Sequence, residues 1–320
     1  MTEIIGLVLP FFGLIFLGFL VARITKQPLE ELGWMTTFVI YVALPALFFQ
    51  LLAKTPIERL TEWGYIFGAV FSTYVIFAIM FVASVLMSRG DIATSTIRGL
   101  ASAYGNIGYM GPGLALLAFG EEAAVPVALI FCFENIMHFA IAPMMMALSG
   151  SEKSKPLDLA LSVIKKIVLH PFIIATAIGV AAAFFEFRPP MPIERLLEYL
   201  SRAAAPCALF AMGVTLALRP LNRVPRELSA IALLKLVLHP ALCYVALSWV
   251  GNFSEVWVFS AVLLAALPTA TNVFVIAQQY GVYVQRASAS ILLTTLLSVG
   301  TVTALLYAIK SGLLPPDLFP

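Results

Sequence analysis

Charge is what this sequence has least of. Only 11% of its 320 residues are Asp, Glu, Lys or Arg, against roughly 25% in soluble globular domains. Too few polar side chains remain to cover a water-soluble body of this size, so that class is excluded. The net charge of +2 is too small to draw in nucleic acid. Aspartate is nearly absent: Asp91, Asp158 and Asp317 all lie outside the apolar stretches, which removes an intramembrane aspartyl protease. HExxH and GxSxG are missing as well, so neither a zinc-protease helix nor a hydrolase nucleophile elbow is present. Cys132, Cys207 and Cys243 sit inside apolar stretches, with neither metal-ligand spacing nor a paired framework, and read as small packing residues. The expectation is a protein that is not an enzyme and carries no cofactor or metal.

What is present is apolar length. Hydrophobic residues make up 61% of the chain and fall in blocks of about twenty, the length that crosses a hydrocarbon core. The first block has no basic start and no small-residue cleavage site, so it reads as a retained helix rather than a signal peptide. Ten transmembrane helices are predicted, over residues 4–22, 34–53, 64–87, 97–118, 123–147, 167–186, 195–218, 228–250, 256–279 and 288–310. Placing both termini outside puts 13 of the 19 Lys and Arg residues in inner loops, among them Arg89, Lys153, Lys155, Arg219, Arg223 and Lys235.

An ungapped shift of 161 residues lays Pro10 on Pro171, Gly18 on Gly179, Pro45 on Pro206 and Gly120 on Gly281. The halves are then 1–147 and 167–320, joined by a cytoplasmic linker at 148–166. Five helices per half is an odd number, so the second half enters the membrane inverted. Inverted repeats of this kind mark secondary transporters.

Two spans read badly as continuous helices. The fourth contains Gly105-Asn106-Ile107-Gly108-Tyr109-Met110-Gly111-Pro112-Gly113, four glycines and a proline in nine residues. Each glycine costs about 1 kcal/mol against alanine and proline about 3 kcal/mol, so an unwound stretch is favoured. The ninth contains Pro268-Thr269-Ala270-Thr271-Asn272, a proline followed by residues that cap helix starts. Half-helices beginning near Pro112 and near Thr269 or Asn272 would aim free N–H groups and partial positive charge at the membrane midplane. An anion could be held there without a full positive charge, helped by Asn106, Thr269, Thr271 and Asn272. Proline and glycine also kink membrane helices without any site, which is the plainer account of either break alone.

The fifth span carries Glu134-Asn135-Ile136-Met137-His138 at mid-membrane depth. An ionisable residue there is costly unless paired, and is a functional candidate for that reason. Glu134 and His138 share a helix face, so they can pair with each other. Glu134 is a candidate to bind a coupling proton or sodium ion, or to pair with Lys235 as a structural lock. His239 lies four residues after Lys235 and ranks lower, nearer the cytoplasmic end.

At these residues the sequence resembles the auxin efflux carrier family, and more closely a bacterial branch of proteins assigned as malonate transporters. The matching text is 105–112 in the fourth span, Phe133-Glu134-Asn135-Ile136 in the fifth, 205–213 in the seventh and 267–278 in the ninth. The resemblance covers essentially the whole chain. It implies an all-α integral membrane fold of ten helices, two inverted five-helix repeats with crossed broken helices at spans 4 and 9. That fold is shared in outline with sodium–proton antiporters and bile-acid symporters. It implies a scaffold of spans 1, 2, 6 and 7, a transport part of spans 3–5 and 8–10, an elevator-type cycle and a homodimer through the scaffold. By matching motif, Asn106 and Pro268 would flank the substrate carboxylate. The sequence has Gly105 where the plant carriers have proline, and lacks their long central hydrophilic loop. The expected substrate is therefore a small organic anion of malonate type in a bacterial inner membrane, with membrane lipid as the surrounding partner. Another organic acid, an auxin-like aromatic acid, or a receptor that binds without transporting are the alternatives. A sodium–proton exchanger is disfavoured, because such proteins need an Asp near the crossover.

Overall fold

The computed structural model describes residues 2–56, 61–150, 156–218 and 226–319. Fifteen α-helices follow one another, and no strand occurs among the described residues. They are α1 (Thr2–Thr25), α2 (Gly33–Phe38), α3 (Leu44–Ala53), α4 (Trp63–Met87), α5 (Ile92–Ala103), α6 (Gly111–Phe119) and α7 (Ala124–Leu148). Then come α8 (Pro156–Val168), α9 (Pro171–Phe184), α10 (Met191–Leu218), α11 (Arg226–Leu233), α12 (His239–Val250), α13 (Glu255–Ala266), α14 (Thr271–Tyr280) and α15 (Val284–Lys310). Six continuous helical segments among the described residues are long and apolar enough to cross a membrane. The protein is thus an all-helical, multi-pass membrane protein.

Several elements depart from the simple reading of the sequence. Within residues 148–166, α8 begins at Pro156; 151–155, with Lys153 and Lys155, lie outside the described residues, as do Arg219 and Arg223. Two π-helical turns, Val39–Ala43 and Leu234–Leu238, lead directly into α3 and α12. Each precedes a proline in the first turn of the following helix, Pro45 and Pro240. Proline has no N–H to return to the preceding turn and its ring crowds that turn's carbonyl, so the helix widens there. Lys235 falls within the second π turn and is completely buried, so it is not a loop charge and the count favouring outside termini loses one member.

Contacts divide the chain into two compact units, Met1–Glu62 with Gly108–Cys132 and Val168–Pro220, and Trp63–Ile107 with Phe133–Ile167 and Leu221–Pro320. Each draws on both halves of the chain. In the first unit, α1 and α10 approach until backbone meets backbone: a Cβ on Gly18 would overlap the Phe210 carbonyl, and one on Gly213 the Ile15 carbonyl. Lipid tails are as apolar as leucine, so such close van der Waals packing, not water exclusion, holds membrane helices together. Phe48 stacks on Phe131 at 4.5 Å, and Phe172 meets Phe131 edge-on at 4.9 Å. Phe48 is thereby committed to packing.

In the second unit, a core of Ile76, Phe77, Ile97, Leu100, Leu228 and Val273 joins α4, α5, α11 and α14. Gly99 lets the Phe77 ring lie 2.8 Å from where a Cβ would stand, fixing α5 against α4. Gly120 ends α6 and Gly281 ends α14, both at positive φ (+77° and +67°), where glycine carries no Cβ penalty.

Asp91 starts α5 by accepting a hydrogen bond from the Thr94 N–H at 3.0 Å. The hydrogen bonds from Thr94, aided by the Arg98 charge, hold its carboxyl below the ordinary carboxylate value. A lowered folded value means the stabilisation is present above the unfolded carboxyl's pKa and fades as pH falls through the lowered one. Asp91→Ala should therefore cost about 1 kcal/mol at neutral pH. The gap from wild type in thermal unfolding midpoint should shrink on acidification; a gap constant with pH would show that the cap is not ionic.

Candidate functional site

The two breaks meet within the second unit. The unwound residues 104–106 and 268–270 run antiparallel and pair as an isolated β-bridge between Gly105 and Thr269. The Asn106 N–H donates to the Pro268 carbonyl at 2.8 Å, and the Ala270 N–H to the Tyr104 carbonyl at 2.9 Å. The approach at Gly105 is close: a Cβ there would stand 3.2 Å from both the Leu264 carbonyl and the Lys235 ammonium.

Breaking a helix orphans its last carbonyls and the next helix's first N–H groups. The carbonyls are answered by side chains. Thr269 Oγ1 donates to the Ala101 carbonyl near the end of α5 at 2.7 Å, and Lys235 Nζ donates to the Ala265 carbonyl near the end of α13 at 2.5 Å. A cation suits the negative end of a helix dipole. The Thr269 N–H donates to Thr294 Oγ1 at 3.1 Å, so both donors of Thr269 serve the crossing. The start of α14 is treated differently. No side chain caps it, and the hydroxyl of Thr271 is buried with no partner.

Beside that start runs a chain of polar side chains. Asn272 Nδ2 donates to the Tyr104 hydroxyl at 2.8 Å, and that hydroxyl donates to Asn135 Oδ1 at 2.7 Å. The Tyr104 ring lies on the His138 ring, centroids 3.8 Å apart, and the Tyr74 hydroxyl bonds His138 Nδ1 at 3.1 Å. His138 Nε2 is 3.9 Å from Glu134 Oε2, an ion-pair distance but too long for a hydrogen bond. Glu134 instead accepts from Thr73 Oγ1 at 2.6 Å. Thr73 Oγ1 also lies 3.0 Å from His239 Nε2, and His239 Nδ1 lies 2.9 Å from Lys235 Nζ. Lys235 and Glu134 are thus joined through two intervening residues, not by direct contact.

The structure brings Asn106, Pro268, Thr269, Thr271, Asn272, Asn135, Glu134, His138 and Lys235 into one unit. Pro112 lies in the other, buried in the first turn of α6. Sequence reasoning passed over Tyr104, Thr73 and Tyr74, and ranked His239, which the structure links to Thr73 and Lys235, below Glu134. Tyr104 borders the glycine run, and His239 sits one turn after Lys235, which were the available signals.

A hydrogen-bonded polar crossing enclosed by apolar helices is the equipment of a membrane protein that handles solutes. The chain belongs to the family described as "Membrane transport protein", whose match covers residues 3–306, and the auxin efflux carrier-type resemblance holds over that length. It is 62% identical, over all 320 residues and the whole of the relative, to a protein of Rhizobium meliloti (strain 1021) named "Putative malonate transporter". It is also 24% identical over 287 residues, 89% of this chain and 91% of the relative, to an "Uncharacterized transporter" of Methanothermobacter thermautotrophicus. The chain is a membrane transporter, and the family and the relatives' names point to no enzyme.

Lys235→Met should leave the Glu134 carboxylate buried without its distant countercharge, a change that costs roughly 3–5 kcal/mol when a buried pair loses one member. The purified variant should unfold well below wild type, and the double variant Lys235→Met/Glu134→Gln should recover much of the loss. Additive losses in the two single variants and the double would show that the two charges are not linked.

Proposed function

We propose that the protein carries small organic carboxylates of malonate type across the bacterial inner membrane, as a secondary active transporter or a uniporter. The observation that carries this reading is the uneven treatment of the crossing. Its carbonyls are answered by Thr269, Lys235 and backbone N–H groups, whereas the start of α14 has no side-chain cap and stands beside the unpartnered Thr271 hydroxyl. A carboxylate fits that position: it takes hydrogen bonds from helix N–H groups and a hydroxyl, and its charge matches the dipole. The malonate-named relative, identical at 62% of positions, supports the substrate class.

In this reading the chain has ten spans in two inverted repeats, with both termini outside, and works by elevator-type alternating access as a homodimer. The broken pairs support the repeat: α5 and α13 each have 12 residues, and the half-helices after them end on Gly120 and Gly281. Coupling to a proton or sodium ion belongs to Glu134, with His138 and Lys235 beside it.

Thr271→Val tests the site cleanly, because the lost hydroxyl has no partner to orphan. The variant should fold and unfold as wild type does. A hydrogen bond to a charged group is worth about 1.5–3 kcal/mol, so malonate should bind roughly ten- to hundred-fold more weakly. Thermal stabilisation of the purified protein across a series of mono- and dicarboxylates reads this directly, alongside uptake of labelled malonate into proteoliposomes. Equal stabilisation of wild type and variant would move the carboxylate elsewhere, and absence of uptake for every acid, with and without proton or sodium gradients, would remove the carrier reading.

A further inference from the structure

Lys235, His239, Thr73 and Glu134 form a continuous hydrogen-bonded chain whose two ends carry opposite charges and whose members are all buried. Its direction follows from chemistry alone. A lysine ammonium can only donate, so His239 Nδ1 accepts and Nε2 holds the ring proton. Nε2 then donates to Thr73 Oγ1, whose single proton goes to Glu134 Oε1 at 2.6 Å in preference to the Ala69 carbonyl at 3.3 Å. Every bond runs the same way, from cation to anion. The two middle residues are the kinds of group that can reverse roles, a neutral imidazole with two tautomers and a hydroxyl that both donates and accepts.

We propose that Thr73 and His239 make this chain a proton relay, so that Lys235 and Glu134 share one exchangeable proton and together form the proton-binding site of the transporter. The transfer balances without any further reactant. The Lys235 ammonium gives a proton to His239 Nδ1, the Nε2 proton passes to Thr73 Oγ1, and the Thr73 proton passes to Glu134 Oε1. The products are a neutral amine, the other neutral imidazole tautomer, an intact hydroxyl and a carboxylic acid. The net movement is one proton from lysine to glutamate, and the charged and uncharged forms have the same total charge.

Both ends of the relay touch the crossing. Lys235 holds the Ala265 carbonyl, and its bond weakens when the ammonium becomes an amine. Glu134 neighbours Asn135, which the Tyr104 hydroxyl ties to Asn272 at the start of α14. A direct lysine–carboxylate ion pair would lock two helices; a pair separated by two amphoteric groups can discharge in place. The other ionisable groups around the chain are His138 and Tyr74 beside Glu134, Tyr104 against His138, Tyr65, and Cys243 on α12.

The proton site rests on the transport reading only for its use, so it is tested without substrate. Infrared difference spectra of the purified protein across a pH series should show a carboxylic-acid C=O band that comes and goes with pH and is missing in Glu134→Gln. After a pH jump the band should appear about ten-fold more slowly or worse in Thr73→Val, and Thr73→Ser should restore the wild-type rate. Loss of a hydroxyl that only bonds the carboxylate shifts the band's midpoint and leaves its rate in place, so a Thr73→Val pH jump as fast as wild type overturns the relay. Absence of any band assignable to Glu134 overturns the site, and this comparison needs no Thr73 variant to fold. In proteoliposomes loaded with a pH dye, added malonate should carry protons with wild type and with Thr73→Ser. A titrating Glu134 without uptake of any carboxylate sinks the substrate reading alone; malonate uptake with a silent Glu134 sinks the proton site alone.

Discussion

Two backbone hydrogen bonds, Asn106 N–H to the Pro268 carbonyl and Ala270 N–H to the Tyr104 carbonyl, allow two helices to be broken inside an apolar protein. Unsatisfied peptide groups cost several kcal/mol each in hydrocarbon, and the unwound stretches survive because each supplies the other's missing partners. The remaining details follow from this pairing. Gly105 sits in the close approach, Thr269 and Lys235 answer carbonyls left near the ends of α5 and α13, and α14 begins without a side-chain cap beside the Asn272–Tyr104–Asn135 chain.

The same pairing explains why charge is present at all in so uncharged a chain. A helix that ends inside the protein exposes its negative end, and the Lys235 ammonium meets it at Ala265. Burying that cation is tolerable only with an anion in reach, which Glu134 supplies through His239 and Thr73. The π turn that carries Lys235 belongs to this arrangement. Pro240 widens the helix there, and the widening lies in the turn that delivers the ammonium.

Much of this was legible in the sequence, for identifiable reasons. Apolar length announces helices, and Gly105 to Gly113 and Pro268 announce breaks, because backbone preferences act locally. The half-helix starts at Gly111 and Thr271 lie where those residues place them. Glu134, His138 and Lys235 stand out because ionisable groups are rare in apolar stretches. What stayed hidden depends on partners brought from elsewhere in the chain. Thr73 is one hydroxyl in an apolar helix, and nothing in its neighbourhood says that a glutamate 61 residues away will accept from it. Thr269 reads as a substrate ligand, and no local pattern shows that its hydroxyl donates to the carbonyl of Ala101, 168 residues away. α8 lies in a stretch that reads as a linker from its start, Gly150-Ser151-Glu152-Lys153, and its place at the middle of the chain.

The crossing is tested most directly by amide hydrogen exchange, measured by mass spectrometry on the protein in lipid nanodiscs. Peptides resolving the Asn106 and Ala270 amides should exchange as slowly as the buried middle of α13, despite lying in unwound backbone. Exchange of both amides at the rate of exposed loops would show that the two breaks do not hold each other, and the account of the site would fall with them.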